Sequence, residues 1–325
     1  MKALSTTLLG LLLLAGCDSS QDNSAVNADI IVAFTDTLDT ETALYSLTFD
    51  GALSRLPVPS GDLFSPTCAE SSGAVAFEDY NASLVRGTPA LQIYRDGHVR
   101  PAPPDPSSSL GDLPVTHGLL SSNAWSPDGR RFVTTTPEAC LSAVGCFHRD
   151  LTIVDVEAEA VIPLTRGSEI DWNPLWDPYS DRIVFLSNRS GGQHVYSVRP
   201  DGSELIERAS LPGEVYGLSW GPGPGMLTAG VLQSGDPFRY VTVNLETGVI
   251  QDLDFDTDPA NTSSVVWHPD GRRYLSTVRT PFQATPHPND IYTLYLNDAV
   301  SGERRALLER TREISYPPKA SFCAP

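Results

Sequence analysis

Gly217-Leu218-Ser219-Trp220-Gly221 has the spacing G-x-S-x-G, in which a serine on a sharp strand-to-helix turn attacks a carbonyl carbon. Such a serine needs an acid and a histidine later in the chain, and a helix directly after it. Here Pro222 and Pro224 follow, and proline removes the backbone donors a helix uses. Ser219 therefore reads as a strand residue, not a nucleophile. The six histidines, His98, His117, His148, His194, His268 and His287, are scattered. None falls in an H-E-x-x-H pair, and no G-x-x-x-x-G-K loop is present to cradle a phosphate. With 40 acidic residues in the chain, paired carboxylates carry no signal. No catalytic residue, metal site or cofactor is expected.

The cysteines point to an address. The chain opens MKALSTTLLGLLLLAGC: Lys2, an apolar run over Leu8–Leu14, then Leu14-Ala15-Gly16-Cys17. The run is well short of the roughly 20 residues a spanning helix needs. Its ending resembles the bacterial lipobox, whose cysteine takes a diacylglyceryl thioether while the residues before it are cut away. Residues 1–16 are thus expected to be a signal peptide, Cys17 the lipidated residue, and 17–27 the lipidated cysteine with its flexible polar tether. Acyl chains, at ~0.8 kcal/mol per buried methylene, would anchor the protein in the bacterial cell envelope. Asp18 leaves the inner and outer membranes both open. Export to an oxidising compartment suits the remaining cysteines, Cys68, Cys140, Cys146 and Cys323, as two disulfides out of three possible pairings. Cys140 and Cys146 share one loop, CLSAVGC, and form the natural local pair. No His or Cys pair has zinc-finger spacing.

What must position these residues is a repeat. WSPDGRRF at 125–132 recurs as WHPDGRRY at 267–274. Weaker copies start at Trp176 (WDPYSDRIVF) and Trp220 (WGPGPGMLTAG), and a worn one at Cys68 (CAESSGAVAF). From Cys68 onward the steps are 57, 51, 44 and 47 residues, the period of a propeller or solenoid. Every unit reads alike. A short strand runs into the anchor, and Pro-Asp-Gly makes a tight turn. A second strand follows, such as RRFVTTT or RIVFLS, then a third, such as LTIVDV or IYTLYLND. Many third strands close on Asp-Gly or Thr-Gly, which is hairpin chemistry. A fourth, such as VIPLT, ends the unit. The 25 glycines and 27 prolines fit a chain of many turns and little helix.

This pattern resembles the TolB-type, WD-like propeller family, whose repeats carry W-S-P-D-G, an I-Y strand and a D-G turn. The resemblance covers roughly residues 28–323; it is clear at Trp125, Trp176 and Trp267, and worn at Trp220 and Cys68. It implies an all-β fold, a six-bladed β-propeller with four-stranded antiparallel blades, over residues 28–325. The family's namesake also has an N-terminal α/β domain, for which a propeller starting eleven residues after Cys17 leaves no room. Trp125, Trp176, Trp220 and Trp267 are expected to pack between blades, with Asp128-Gly129 and Asp270-Gly271 turning the chain. The strands DIIVAFTD, ALYSLTFDG and LSRLPV are the second to fourth of blade one. The C-terminal ISYPPKASFCAP would supply its first strand and close the ring. Cys323 would then stand beside Cys68, and a Cys68–Cys323 disulfide is expected to staple the closure.

In such blades the tight turns SPDG, YRDG, RPDG and LETG share one face. The long segments EDYNASLVRGTPA, TTTPEACLSAVGCFHRD, RTPFQATPHPND and PAPPDPSSSLGDLPVTHG share the other, and irregular loops on a rigid scaffold are where recognition sits. Four residues before the anchors stand Phe64, Ser121, Trp172, Tyr216 and Ser263, with Tyr316 as the blade-one equivalent. Phe64, Trp172, Tyr216 and Tyr316 are expected to ring the mouth of the central channel, either packed under the loops or offered to a peptide or carbohydrate end. The net charge of −18 argues against nucleic acid as partner and favours solubility. The expected protein is a monomeric, non-enzymatic module, membrane-attached through its lipid, that binds an envelope protein or peptide. The alternative is a propeller enzyme, a hydrolase or lyase acting on peptides or carbohydrates in the channel.

Overall fold

The structure, a computed structural model, describes residues 29–35, 41–69, 71–82, 89–103, 120–137, 149–253, 262–281, 291–310 and 319–324. Cys17 with its signal and tether, Cys140, Cys146, Tyr316 and most of the long loops lie outside the described residues.

Among the described residues every regular element is a strand. β1 (Ile30–Thr35), β2 (Thr42–Leu47) and β3 (Leu53–Arg55) pair antiparallel in turn. So do β4 (Leu63–Ala69), β5 (Ala74–Asp79), β6 (Ala90–Arg95) and β7 (His98–Pro101). Trp125 makes a single bridge to Phe132 at the head of a three-stranded sheet, β8 (Arg131–Pro137), β9 (Arg149–Asp155) and β10 (Ala160–Pro163). Three four-stranded sheets follow. They are β11 (Asp171–Trp176), β12 (Ile183–Ser187), β13 (His194–Val198) and β14 (Ile206–Ser210); then β15 (Glu214–Trp220), β16 (Met226–Leu232), β17 (Arg239–Asn244) and β18 (Ile250–Asp252); then β19 (Thr262–Trp267), β20 (Arg273–Thr280), β21 (Ile291–Asp298) and β22 (Arg304–Arg310). The last strand, β23 (Lys319–Ala324), returns to the start. It pairs antiparallel with β1 from Ile30–Phe322 to Ala33–Lys319, and parallel with β4 at Cys323–Cys68 and Ala324–Ala69.

The sequence explains the gradient across each sheet. The second strands are continuous apolar runs: every residue of IVFLS in β12 is buried, and AVAFED in β5 is buried up to its last residue. Runs of that kind belong to strands covered on both faces. The fourth strands β3 and β18 face solvent along most of their length. The covering comes from the neighbouring sheets. Trp125 packs with Ala69, Ala76 and Ile93 of the preceding sheet, Trp176 with Val133 and Ile153, Trp220 with Val184 and Leu186, and Trp267 with Tyr240. Leu275 and Leu294 of the last sheet pack against Ile30, Val32 and Phe322. All four anchor tryptophans are 2% exposed. Each removes on the order of 200 Å² from water, or about 5 kcal/mol at ~25 cal/mol per Å². Trp220 also donates its Nε1–H to the Trp176 carbonyl at 2.9 Å, tying one sheet to the next.

The Asp-Gly pairs make the turns. Asp128 Oδ1 accepts from Ser126 Oγ at 2.6 Å and from the Arg130 amide at 3.1 Å; Asp270 Oδ1 accepts from the Arg272 and Arg273 amides at 2.9 and 3.0 Å. Burial works against the charged form of Asp270, but the Arg273 and Arg272 donors outweigh it and hold the carboxyl well below the usual range. Gly129 and Gly271 sit at φ +66° and +67°, where a side chain is disfavoured. Cys68 and Cys323 are disulfide-bonded at the seam between β4 and β23, the pairing that the blade positions implied.

Candidate binding cavity

The innermost strands bend near the residues expected at the mouth. β4 shifts register between Phe64 and Thr67, β11 between Trp172 and Leu175, β15 between Val215 and Gly217, and β19 between Thr262 and Ser264. A bulge inserts one extra residue and re-aims the side chains around it. β4 and β11 build theirs from the same local chemistry. Ser65 and Asn173 take φ +47° and +50°, and the prolines that follow, Pro66 and Pro174, have no N–H to leave unpaired.

In these four strands the bulge hands the inward direction to the residue three places before the anchor. Ser65, Ser122, Asn173, Gly217 and Ser264 all line one cavity of about 610 Å³. Ala320, at the same step before Cys323, lines it too. These residues are small, which keeps the space between the converging strands open. The signal stands in the sequence as a small residue three places before every anchor, one place later than the residues expected at the mouth. Phe64, Ser121 and Tyr216 do line the cavity. Trp172 does not. It packs against the apolar core between the β11–β14 and β15–β18 sheets, because the bulge after it turns Asn173 inward instead. Tyr316 lies outside the described residues, and the register of Cys323 beside Cys68 gives the corresponding step to Lys319.

Two carboxylates stand on the cavity, and Lys, Arg and His are missing from its described lining. Asp62 is exposed at one edge. Glu78, on β5, is 1% exposed, and its Oε1 accepts from the Leu120 amide at 2.6 Å. Phe64 meets Tyr80 edge to face at 5.4 Å. A second aromatic run, Tyr216, Phe238 and Tyr240, has successive ring centroids 5.9 and 5.2 Å apart. Tyr216 is 62% exposed and donates to Glu214 at 3.1 Å, which raises its phenol above the ordinary value. Burial pushes the Tyr240 phenol up; its O–H donates to the Thr262 carbonyl at 3.2 Å. Gly230 makes room for Phe238, whose ring would lie 2.8 Å from a Cβ there, whereas a Cβ on Gly217 would meet no atom within 4 Å. Ser121 and Thr228 line the cavity; their hydroxyl oxygens are buried and have no hydrogen-bond partner among the described residues. Orphaned buried hydroxyls are uncommon in folded proteins.

Ser219 also lines the cavity, within β15, and its hydroxyl donates to the Trp220 carbonyl at 3.2 Å. Among the described residues no three His, Cys, Asp or Glu gather closely enough to hold a metal ion. Sequence reasoning singled out neither Glu78 nor Thr228. Glu78 was visible only as an acid within the apolar strand AVAFED, one of 40 acids in the chain.

Three solved structures share this architecture. TolB from Acinetobacter baumannii is similar with a TM-score of 0.64 and 16% identity, over 90% of this chain and 66% of that one. The likeness thus spans just under two thirds of that protein. An oligogalacturonate lyase in complex with manganese gives a TM-score of 0.55 and 15% identity, over 85% of this chain and 73% of that one. A chain of the nidogen/laminin complex gives 0.58 and 11%, over 91% and 99%. No protein-family model and no curated protein matches the sequence. At these identities the likeness is one of fold: this is a TolB-like β-propeller, an architecture found in proteins of unlike activity.

Proposed function

We propose that this chain is an exported envelope lipoprotein, held on a membrane through Cys17, whose propeller takes a protein segment or peptide into its central cavity without chemistry of its own. The propeller has six blades, with β23 as the innermost strand of the first. Two observations support that count: apolar cores lie between successive sheets, the last and first included, and one small inward residue comes from each blade.

The binding reading is carried by the cavity. Its volume of about 610 Å³ falls inside the usual range of ligand sites. Its walls offer aromatic rings and residues that carry hydroxyls, which suits a peptide's mixed apolar and hydrogen-bonding surface. A second reading, a propeller hydrolase or lyase, is favoured by one observation. Asp62 and Glu78 line the cavity beside Phe64, in a fold shared with a lyase solved with manganese.

Photo-crosslinking in native cells separates the two. One reactive residue replaces Tyr216 at the cavity, and another replaces Asp201 in a tight turn at the opposite strand ends. A discrete adduct from position 216 alone is expected, and its mass identifies the partner. Adducts from 201 alone would place recognition on the other face. Silence at both positions, with a melting temperature that rises on adding Mn²⁺, would favour the enzyme.

A further inference from the structure

We infer that the propeller stands with its tight-turn end on the membrane that holds Cys17, so that the cavity opens away from the bilayer and takes its peptide from the aqueous side. The inference rests on the lipidation of Cys17 in the reading above, and not on what the cavity binds. The point where the chain enters the fold carries it. Asp29 is held at the seam: its Oδ2 accepts from the Phe49 amide at 2.6 Å, and its carbonyl accepts from the Cys323 amide at 3.0 Å. Phe49 lies in the β2–β3 turn and meets His268, in the turn after Trp267, edge to face at 5.9 Å. The register places Ile30, Leu47 and Phe322 side by side at this same end. The cavity is lined from the other end of the inner strands, by Phe64, Asn173 and Tyr216 near the starts of β4, β11 and β15. β15, at seven residues and ~3.3 Å each, separates the two ends by about 23 Å.

Residues 18–28 join Cys17 to Asp29. As a coil, a chain of that length spans about 18 Å on average. Bringing the mouth to the bilayer would stretch it along the whole wall of the propeller, beyond that average span and at a cost in entropy. The exposed apolar side chains lie at the end the chain enters. Nine large ones are exposed among the described residues. Tyr179, Leu205, Val249 and Val300 stand in tight turns, and three more fall in the first two residues of fourth strands beside such turns. Tyr216 alone among them stands at the mouth. Single exposed apolar residues are ordinary on a protein surface, but their gathering at one end marks a contact surface. For an anchored protein that contact is intramolecular, so weak apolar contacts suffice to hold an orientation. Charge does not drive it. Arginines of these turns are ion-paired, Arg130 with Glu157 at 3.5 Å, Arg199 with Glu204 at 2.8 Å and Arg272 with Asp298 at 2.6 Å, and the net charge is −18. Zwitterionic headgroups are therefore the surface this end fits.

The test places a small charged fluorophore on the full chain as cells export it. A non-natural residue carries the label in place of Ala299, in the β21–β22 turn, or of Ser234, in the β16–β17 loop. Both are exposed and neither lines the cavity. The protein is reconstituted in phosphatidylcholine vesicles with a nitroxide on a fraction of the headgroups, a quencher that acts only at short range. The label at 299 should lose most of its fluorescence, and the label at 234 should keep it. The mass of the peptide containing Cys17 is measured on the same sample. With acyl chains on Cys17, quenching at 234 alone, at both positions alike or at neither overturns the inference and leaves the anchor standing. Quenching at neither would give the tight-turn end to water or to another protein. An unmodified Cys17 would remove the anchor, and the inference with it. Peptide binding in the cavity is tested separately by the crosslink at position 216 and survives each of these outcomes.

Discussion

Glu207 on β14 accepts hydrogen bonds from Ser190 Oγ at 2.7 Å and Tyr196 Oη at 2.8 Å, and lies 2.8 Å from His194 Nδ1. In that order these neighbours hold its carboxyl down to about 2. The folded value lies below the ordinary 4.5, so Glu207 adds stability that is full above about pH 4.5 and lost as pH falls from there towards 2. The side chain is 42% exposed, which keeps the gain modest. Glu207→Gln should therefore be less stable than the wild type at pH 6, and the gap should close between pH 5 and pH 2 in urea unfolding. A gap that stays constant over that range would show the hydrogen bonds do not depend on the charge. None of these four residues was legible as a cluster in the sequence. Tyr196 faces Glu207 after the register shift between Val195 and Tyr196, and Ser190 joins them from the turn before β13. Trp172 was misread for the same cause: a one-residue bulge exchanges the two faces of a strand, and only the small residue three places before the anchor marks where it falls.

At the scale of elements the repeated phrase was legible, and its worn copies explain why it repeats. A Cβ on Gly271 would lie 2.9 Å from the Gly223 amide nitrogen, within the Gly-Pro-Gly-Pro-Gly turn of the preceding sheet. A Cβ on Gly129 would lie 2.4 Å from Ser71 Oγ. Each Asp-Gly turn thus nests on the previous blade's turn, which must be small where it is touched. What reads as erosion after Trp220 is the seat for the turn after Trp267. The sequence shows the glycines but not the contact, which joins turns 48 residues apart. Gly271→Ala should cost about 2–4 kcal/mol, combining the left-handed backbone with a clash against backbone that cannot rotate away. Gly202, at φ +83° but with its nearest atom 3.7 Å from a built Cβ, is the control, and Gly202→Ala should cost about 1 kcal/mol. Equal losses in denaturant melts would mean that the turns do not bear on one another.

For the whole molecule the decisive junction is the seam of β1, β23 and β4. β23 meets β1 over four residue pairs and β4 over only two, and Phe322 is fully buried between them and the last sheet. A ring held by one strand opens whenever that strand leaves, and the Cys68–Cys323 bond opposes this by joining positions 255 residues apart. Closing a loop of that length restricts the unfolded chain by about 5 kcal/mol on the chain-entropy account. Cys323→Ser should lower the unfolding free energy by about 3–5 kcal/mol, and reductant should bring the wild type down to the same value while leaving the variant unmoved. Native far-UV circular dichroism should be the same for both, because the β1–β23 pairing and the burial of Phe322 do not need the sulfurs. Removing residues 319–325 tests the closure itself, since it deletes the innermost strand of the proposed first blade as well as the bond. If six blades close through β23, this truncation must destabilise far beyond Cys323→Ser, exposing the β1 edge and the core around Ile30, Val32 and Leu294. If the truncated chain matches the serine variant, the disulfide is the whole contribution of the C-terminus and the ring does not close through that strand.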